Sequence, residues 1–355
     1  MHARPHSPSQ ATDDAALAQW VRGLPKAELH LHLEGTVTPD TLVSLSRRSD
    51  AEPLSLEAAQ SLYHYTDFTG FLLAFKAITE RLRTPEDYEE ITYAMMRGLR
   101  AAGVAHAEVY VSVGVVYYWK RVAFEPLFAG MERGRVRGER DFGVSVLWIF
   151  DAVRHFGAEE AARVFRKAAE MQAEHPSIAG IGIGGDERRT GAEPFRDLYA
   201  EARQAGLHLT AHAGETVGPE GIWSAINIGA ERLGHALSAA QDEDLLEVLA
   251  QKQIPLEICI TSNVRTGCCV KVEDHPVRNY FDRGLMVTLN SDDPALFGSD
   301  LAEEYLLASR VFGFTAEHLR ELAGNSVEAS LLPPARKLQL LRQIEQYPDL
   351  EDRAR

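Results

Sequence analysis

Two histidines one residue apart, His30 and His32, end the first apolar run of the chain, Ala27–Glu34. Residues i and i+2 of an extended strand point to the same face, so this pair can bind one metal ion. Alone the pair is a weak signal, because two half-buried polar residues on a strand produce the same spacing. Three later segment ends carry matching chemistry: Thr210-Ala-His212-Ala-Gly-Glu215, Arg232-Leu-Gly-His235 and Leu289-Asn-Ser-Asp292-Asp293. Together these segments indicate a metallohydrolase.

Three imidazoles and one carboxylate make a ligand set that suits Zn²⁺ or a similar divalent ion. The predicted ligands are His30, His32, His212 and Asp292. A catalytic zinc keeps an open position in which water is activated for attack. The sequence therefore predicts one zinc per chain.

Further acid and base groups accompany the predicted ligands. Glu215 follows a turn through Ala213-Gly214, a placement that suits a proton donor facing the substrate. His235 ends another strand, where it can orient the attacking water or stabilise charge; a buried turn histidine is the alternative. Asp292 and Asp293 are adjacent, so one can bind metal while the other contacts substrate, or one can cap a helix before Pro294.

Eight apolar or β-branched runs alternate with helical patterns along the chain. The runs are 27–34, 105–114, 142–150, 178–184, 207–212, 231–235, 255–261 and 285–290. Such alternation indicates βαβ units around a parallel sheet, and eight units close a (β/α)8 TIM barrel. A doubly wound open sheet would need an early glycine-rich phosphate loop, whereas Gly180-Ile-Gly-Ile-Gly-Gly185 comes late and has no clear helix start. We therefore expect an α/β fold with a single barrel.

Every candidate residue lies at the carboxyl end of a predicted strand. They are His30 and His32 after strand one, Gly185 after strand four, His212 and Glu215 after strand five, His235 after strand six, and Asp292 and Asp293 after strand eight. Active sites of such barrels are built at this face. The shared position predicts a single site.

Two regions fall outside the simple repeat. Residues 38–84 predict extra helices after strand one that can cover the barrel mouth, and residues 301–344 predict closing helices at the C-terminus. We expect a flexible N-terminal segment over 1–19, one metal-dependent barrel domain over 20–345 and a C-terminal tail over 346–355.

Composition excludes several classes of partner. The chain has 355 residues, 37 basic and 52 acidic, a net charge of −15, and no basic block, so nucleic acid is not an expected partner. A small, roughly neutral substrate fits better. Three cysteines, including the pair Cys268-Cys269 without a C-x-x-C partner, suit a reducing cytoplasm. Because the sequence shows no signal peptide and no apolar span, we expect a cytoplasmic protein that does not enter a membrane. The sequence leaves oligomeric state open.

The motifs resemble those of the adenosine/adenine deaminase family of zinc-dependent aminohydrolases, which includes aminodeoxyfutalosine deaminases. The resemblance spans roughly residues 20–332 and rests on Leu24-Pro-Lys-Ala-Glu-Leu-His-Leu-His-Leu-Glu-Gly35, His212-Ala-Gly-Glu215, Gly234-His235 and Ser291-Asp-Asp-Pro294. It implies a zinc (β/α)8 barrel that replaces the 6-amino group of a purine with oxygen and releases ammonia.

The resemblance also implies a role for each site residue. These roles are zinc binding by His30, His32, His212 and Asp292, protonation of purine N1 by Glu215, positioning of the attacking hydroxide by His235 and Asp292, a hydrogen bond to N7 from Asp293, and a backbone contact to N3 from Gly185. We thus predict that His32, Glu34, Gly185 and Asp293 contact the purine substrate.

Departures from the family pattern bear on the substrate. Adenosine deaminases usually have Asp where this chain has Glu34, and that Asp reaches the ribose 5′-hydroxyl. The His-Leu-Glu-Gly form resembles adenine and aminodeoxyfutalosine deaminases, whereas Gly-Gly-Asp-Glu187 and Leu-Gly-His235 resemble nucleoside-acting members. The usual Cys-Pro-x-Ser-Asn appears as Cys259-Ile-Thr-Ser-Asn263, so this turn is expected to differ. We expect adenosine or an adenosine-like nucleoside such as 6-amino-6-deoxyfutalosine, with the free base adenine as the alternative.

Other functions fit the sequence less well. A binuclear amidohydrolase would use a carboxylated lysine near strand four, but residues 178–187 contain no lysine. The cytidine-deaminase type of zinc site, which combines H-x-E with P-C-x-x-C, is absent because the sequence contains no P-C-x-x-C. A catalytically inactive nucleoside-binding protein is disfavoured because every predicted ligand and the proton donor are present. Metal content and turnover distinguish these alternatives.

Overall fold

Eight parallel strands form one sheet in the sequential order β1 to β8 in the computed structural model, which describes residues 8–350 and side chains from residue 14 onward. The strands are β1 (Lys26–His32), β2 (Val104–Val111), β3 (Ser145–Val153), β4 (Ile178–Gly184), β5 (His208–Ala213), β6 (Arg232–His235), β7 (Leu256–Ile258) and β8 (Val287–Leu289). The predicted (β/α)8 barrel is confirmed.

The sheet closes where the chain leaves β8 and meets β1. Leu31 and Asp292 form an isolated parallel bridge. The His32 N–H donates to the Asp292 carbonyl at 2.9 Å, and the Asp292 N–H donates to the His30 carbonyl at 3.0 Å. A residue predicted to bind metal therefore also joins the two edges of the barrel.

Helices surround this barrel. Within residues 8–350 they are α1 (Pro8–Gly23), α2 (Pro39–Ser49), α3 (Leu56–Ser61), α4 (Phe68–Thr79), α5 (Pro85–Ala101), α6 (Val113–Val115), α7 (Glu125–Phe142), α8 (Ala158–Gln172), α9 (Arg196–Gln204), α10 (Pro219–Ile228), α11 (Glu243–Lys252), α12 (Ile260–Arg265), α13 (Val277–Asp282), α14 (Pro294–Phe297), α15 (Leu301–Phe312), α16 (Ala316–Glu328) and α17 (Pro334–Glu345). The short α6 continues as a π-helix over Val116–Lys120. In this part of the chain no helix is long and apolar enough to cross a membrane.

Most predicted elements appear near their expected bounds, and the differences have local causes. β4 spans the predicted residues, and α5 begins at Pro85, where Thr84 and Asp87 form a capping box. The run predicted as strand seven, 255–261, ends as a strand at Ile258, because the chain turns into α12. The extra helices after β1 are α2, α3 and α4, and those at the C-terminus are α15, α16 and α17.

The structure describes part of each predicted terminal segment. α1 begins at Pro8, within the segment 1–19 that was expected to be flexible, and Trp20 just beyond that segment is fully buried. Residues 1–7 and 351–355, which belong to the predicted N-terminal segment and C-terminal tail, lie outside the described residues. The predicted domain limits stay predictions.

The side chains inside the barrel differ between its two ends. At its amino-terminal end the buried Arg232 guanidinium lies between two buried carboxylates, in contact with Glu108 and with its Nε 2.7 Å from Glu257 Oε1. Tyr110, Ile149 and Ala179 form a small apolar cluster separate from the main core. The predicted site residues lie at the opposite, carboxyl-terminal end of the strands.

Candidate active site

Four predicted metal ligands meet at one point at the carboxyl end of the barrel. His30 and His32 share the inward face of β1, and His212 lies near the end of β5. The His32 and His212 Nε2 atoms are 3.2 Å apart, and Asp292 Oδ1 lies 3.6 Å from His30 Nε2 and 3.4 Å from His32 Nε2. All four side chains are buried. The structure thus brings together the residues that the spacing predicted.

This donor set fits a tetrahedral ion. Zn–N bonds of about 2.0–2.1 Å put neighbouring tetrahedral ligand atoms roughly 3.3 Å apart, close to the spacing here. The buried His30 Nε2 has no hydrogen-bond partner within the described residues. His30 Nδ1 lies 2.8 Å from Glu257 Oε2, and His212 Nδ1 lies 3.1 Å from the Ile183 carbonyl, so both Nε2 atoms are left for a metal. The residues therefore fit zinc.

A second buried donor set, His30, Cys259 and Asp292, shares two of these residues. Burial raises the pKa of the Cys259 thiol well above its usual range, and thiolate is the form that binds metal. Within the described residues the three cysteines are free, and Cys268 Sγ lies 4.0 Å from Glu215 Oε1. The set with three histidines and Asp292 is the better metal site.

Glycine and serine residues hold the ligands in place. A Cβ added at Gly234 on β6 would lie 2.6 Å from His30 Cε1, so only glycine leaves room for that ring. Ser262 on α12 donates to Asp292 Oδ2 at 2.7 Å. Asp292 itself has a positive φ of 62°, a conformation that is costly for a residue other than glycine and that surrounding structure must stabilise. Helix α12, which follows β7, therefore supplies a residue that orients the metal ligand Asp292.

Glu215 faces the same space from the turn after β5. Its Oε2 lies 3.8 Å from His235 Nε2, and burial, followed by the negative charge of Asp292, raises the pKa of Glu215 to about 8. Both oxygens of Glu187 accept hydrogen bonds from this turn, from the Gly214 N–H at 2.9 Å and the Glu215 N–H at 2.8 Å. A buried carboxylate thus fixes the backbone that presents the predicted proton donor.

A chain of hydrogen bonds determines the tautomer of His235. The Val277 N–H donates to His275 Nδ1 at 3.2 Å, so a neutral His275 carries its proton on Nε2 and donates to Asn263 Oδ1 at 3.2 Å. The Asn263 amide nitrogen then donates to His235 Nδ1 at 3.1 Å. Burial lowers the pKa of His235 to about 3 and that of His275 to about 4. His235 is therefore neutral with its proton on Nε2, the nitrogen nearer Glu215.

Asp293 is a buried acid beside the metal ligands. Its Oδ1 has no hydrogen-bond partner within the described residues, and burial raises its pKa well above the usual range. A Cβ added at Gly35 would lie 1.8 Å from this oxygen. The glycine after Glu34 thus provides the space that Asp293 occupies.

Glu34, which was predicted to contact the substrate, is buried beneath the wall of the cavity. Its Oε1 accepts a hydrogen bond from the Ser112 N–H at 3.1 Å, its Oε2 has no partner in the described part of the chain, and only 1% of the residue is exposed. Ser112, but not Glu34, lines the cavity at the barrel mouth. Contact between Glu34 and substrate stays a prediction.

The cavity above the metal ligands has a volume of about 300 Å³. One end of the cavity is lined by the predicted metal ligands and catalytic residues His32, His212, Glu215, His235, Asp292 and Asp293. Much of the remaining wall comes from α4 and from the ends of β2, β3 and β4. Gly185 belongs to that wall with a φ of 88°, and a Cβ there would lie 2.9 Å from His155 Nδ1. Of the three helices inserted after β1, α4 therefore lines the mouth of the cavity.

Several known proteins are similar to this chain in sequence and in fold. The sequence model of the adenosine deaminase family matches residues 25–347. The chain belongs to this family. It is 36% identical over 350 residues to the aminodeoxyfutalosine deaminase of Streptomyces avermitilis, an alignment that covers 96% of this chain and 97% of that protein.

Two solved structures extend the comparison. An adenine deaminase from Arthrobacter aurescens is 33% identical with a TM-score of 0.85, covering 91% of this chain and 99% of that one. An amidohydrolase from Burkholderia ambifaria with bound Zn is 26% identical with a TM-score of 0.87, covering 96% and 95%. Family membership makes this chain an enzyme, a hydrolase acting on C–N bonds, and supports hydrolytic deamination of an adenine-type substrate.

Several residues that support the site were not predicted from sequence. Glu257, Glu187, Asn263 and His275 act through contacts between segments far apart in the chain. Asn263 and Glu187 lay in segments already singled out, the Ser-Asn pair after strand seven and Gly-Gly-Asp-Glu187, but without a structural role. No short-range spacing identifies Glu257 and His275.

Proposed function

We propose that this adenosine deaminase family member is a zinc-dependent hydrolase that converts a 6-aminopurine nucleoside to its 6-oxopurine and ammonia. The observation that carries the proposal is the convergence of three imidazoles and Asp292 with a raised-pKa carboxyl, Glu215, and a neutral His235 on one enclosed space. Zinc held by His30, His32, His212 and Asp292 would supply Lewis-acid chemistry.

The protein groups have complementary protonation states. With a pKa of about 8, Glu215 is mostly protonated at neutral pH, so it can donate to purine N1 and make C6 more electrophilic. Asp293, whose pKa burial raises, can carry a proton and donate to N7, which is only an acceptor. His235 orients the attacking water with Asp292, and Gly185 approaches N3 by its backbone.

The mouth of the cavity favours a substrate larger than adenine. Leu73 and Trp119 line it and are 64% and 37% exposed, and Phe156 stacks on the partly exposed Tyr118 with ring centroids 4.0 Å apart. Such an apolar rim suits an adenosine-like nucleoside with a further substituent, such as 6-amino-6-deoxyfutalosine. The aminodeoxyfutalosine deaminase relative supports this substrate. The adenine deaminase relative makes the free base the second candidate.

A substrate panel tests the proposal. The zinc-loaded protein would be assayed with adenine, adenosine, 5′-deoxyadenosine derivatives and 6-amino-6-deoxyfutalosine, by loss of 6-aminopurine absorbance and release of ammonia. We expect a nucleoside to give the highest kcat/KM and chelation to abolish turnover together with loss of about one zinc per chain. A higher kcat/KM for adenine would favour the second candidate, and full activity without metal would contradict zinc dependence.

A further inference from the structure

Asp151 is a carboxyl group in the cavity wall that the proposed reaction does not use. It lies near the carboxyl end of β3, lines the cavity and is 4% exposed. Its Oδ1 has no hydrogen-bond partner among the residues that the structure describes. Because a buried polar atom without a partner is costly, this carboxyl group is suited to a partner that arrives with the ligand.

Two glycines on the neighbouring strand make room for this side chain. Asp151 pairs in register with Gly182 of β4. A Cβ added at Gly182 would lie 3.0 Å from Asp151 Oδ1, and one added at Gly184 would lie 3.2 Å from Oδ2. The Asp151 carboxyl group therefore extends over β4 into the barrel, with Oδ1 on the side of Tyr110 and Thr210 and Oδ2 nearer the cavity, close to Gly184 and His212.

The position of Asp151 relative to the reacting groups indicates what it meets. Glu215 and His235 follow β5 and β6, whereas the wall beside Asp151 comes from Ser112 and Val153 at the ends of β2 and β3 and from α4. A purine with C6 at the metal ligands, N1 at Glu215, N3 at Gly185 and N7 at Asp293 directs N9 away from Glu215, so the atoms attached to N9 face this β2–β3 side. For a nucleoside the group attached to N9 is the sugar, whose only hydrogen-bond donors are hydroxyls.

We propose that Asp151 hydrogen-bonds to a sugar hydroxyl of the bound nucleoside and so favours nucleosides over the free base. The inference rests on the proposed function and adds the residue that recognises the sugar. Adenine offers no hydroxyl, so the carboxyl group would remain unsatisfied when the free base binds. A site built around a hydrogen bond discriminates most strongly against the analogue that lacks the partner group.

The test compares substrates that differ by one hydroxyl. Zinc-loaded wild type, Asp151→Ala and Asp151→Asn would be assayed with adenosine, 2′-deoxyadenosine, 3′-deoxyadenosine and adenine. We expect wild type to lose roughly 10- to 100-fold in kcat/KM for one deoxy analogue, and Asp151→Ala to lose as much with adenosine, mainly through KM. Asp151→Asn keeps an acceptor oxygen and should lose less. Activity on adenine should not change.

Controls separate recognition from damage to the fold. Glu132→Gln removes a partly buried carboxylate on α7 outside the barrel and should leave the substrate ranking unchanged. Metal content and thermal unfolding should match between wild type and Asp151→Asn. Equal losses for adenosine and adenine, or no loss for either, would overturn the proposal.

Binding of the reaction products gives a readout without turnover. We expect calorimetry to show weaker binding of inosine to Asp151→Ala than to wild type, and equal binding of hypoxanthine. If the wild type deaminates neither these four compounds nor 6-amino-6-deoxyfutalosine yet binds inosine through Asp151, the proposed function fails and this inference stands. Inosine binding that Asp151→Ala leaves unchanged would contradict the inference.

Discussion

The two acid–base residues at the metal site owe their protonation states to their neighbours. Burial keeps Glu215 protonated at a pH where an exposed glutamate is ionised, and the link from Val277 through His275 and Asn263 determines which His235 nitrogen carries the proton. Both groups are prepared before a substrate enters. The reaction rate should therefore be sensitive to a substitution that removes one of these protons.

Replacing Glu215 by Gln tests the proton donor at this scale. The amide keeps the shape of the side chain and should leave zinc content and thermal unfolding unchanged, because Glu187 binds the Glu215 backbone and not its side chain. Turnover should fall by about 10²–10⁴-fold, the usual contribution of general acid catalysis. Glu220→Gln, on α10, is the matched control. A Glu215→Gln enzyme with near-normal kcat would remove this residue from the mechanism.

Replacing Gly35 by Ala tests the position of Asp293. The added methyl group would overlap Asp293 Oδ1, so the carboxyl group must move away from the substrate. We expect kcat/KM to fall at least about 10-fold, the cost of a lost hydrogen bond to a well-placed group, with zinc retained. Gly98→Ala, in α5 with nothing within 4 Å, is the control and should raise stability by roughly 0.5–1 kcal/mol. Equal kinetics for both variants would contradict the role given to Gly35.

At the scale of elements, Lys26 joins helices to the start of the barrel. Its buried ammonium donates to the carbonyls of Val21 in α1, Leu24 and Ala102 at the end of α5, at 2.7, 2.9 and 2.9 Å. Cationic side chains are favoured at helix C-termini, where carbonyls lack partners within the helix. The residue contacts the opposite end of the strand from the metal ligands.

Lys26→Met should therefore destabilise the protein without changing its chemistry. Three buried carbonyls lose their donor, and we expect the free energy of unfolding to fall by about 2–4 kcal/mol. Urea unfolding measures this loss, with the exposed Lys252→Met as control. The kcat of the folded fraction should equal that of wild type. A variant as stable as the control would show that these hydrogen bonds contribute little.

The elements also show where sequence reasoning succeeds and where it stops. The apolar runs and their alternation with helical patterns predicted the strands. The spacing of i and i+2 placed His30 and His32 on one face of β1, because this rule depends only on local backbone geometry. The same reasoning extended strand seven to residue 261, whereas the chain turns after Ile258 to bring Ser262 to Asp292. The contact between His30 and Glu257 joins residues 227 apart, which no local pattern specifies.

At the scale of the whole molecule, the ion network inside the barrel should make stability depend on acid pH. Burial alone would raise the pKa of Glu108, but Arg232 and His106 outweigh it and lower that pKa to about 2. A folded-state pKa below the unfolded value of 4.5 stabilises the protein above pH 4.5. This contribution is lost as the pH falls through about 2.

Glu108→Gln measures the contribution directly. The shift corresponds to roughly 3 kcal/mol, so wild type should exceed the variant in free energy of unfolding by about that order at pH 6, and the difference should shrink between pH 4.5 and 2. Glu139→Gln, on the exposed face of α7, is the control. A difference that does not vary with pH would assign the effect of Glu108 to packing alone.

The seam between β8 and β1 has a consequence for how the molecule opens. The backbone amides of His32 and Asp292 close the barrel, and the side chains of the same two residues belong to the predicted metal site. An ion at that site would fasten the first and last strands, so opening the seam would require releasing it. Hydrogen–deuterium exchange of these two amides should therefore slow when zinc is added, while amides of the exposed α17 face keep their rates.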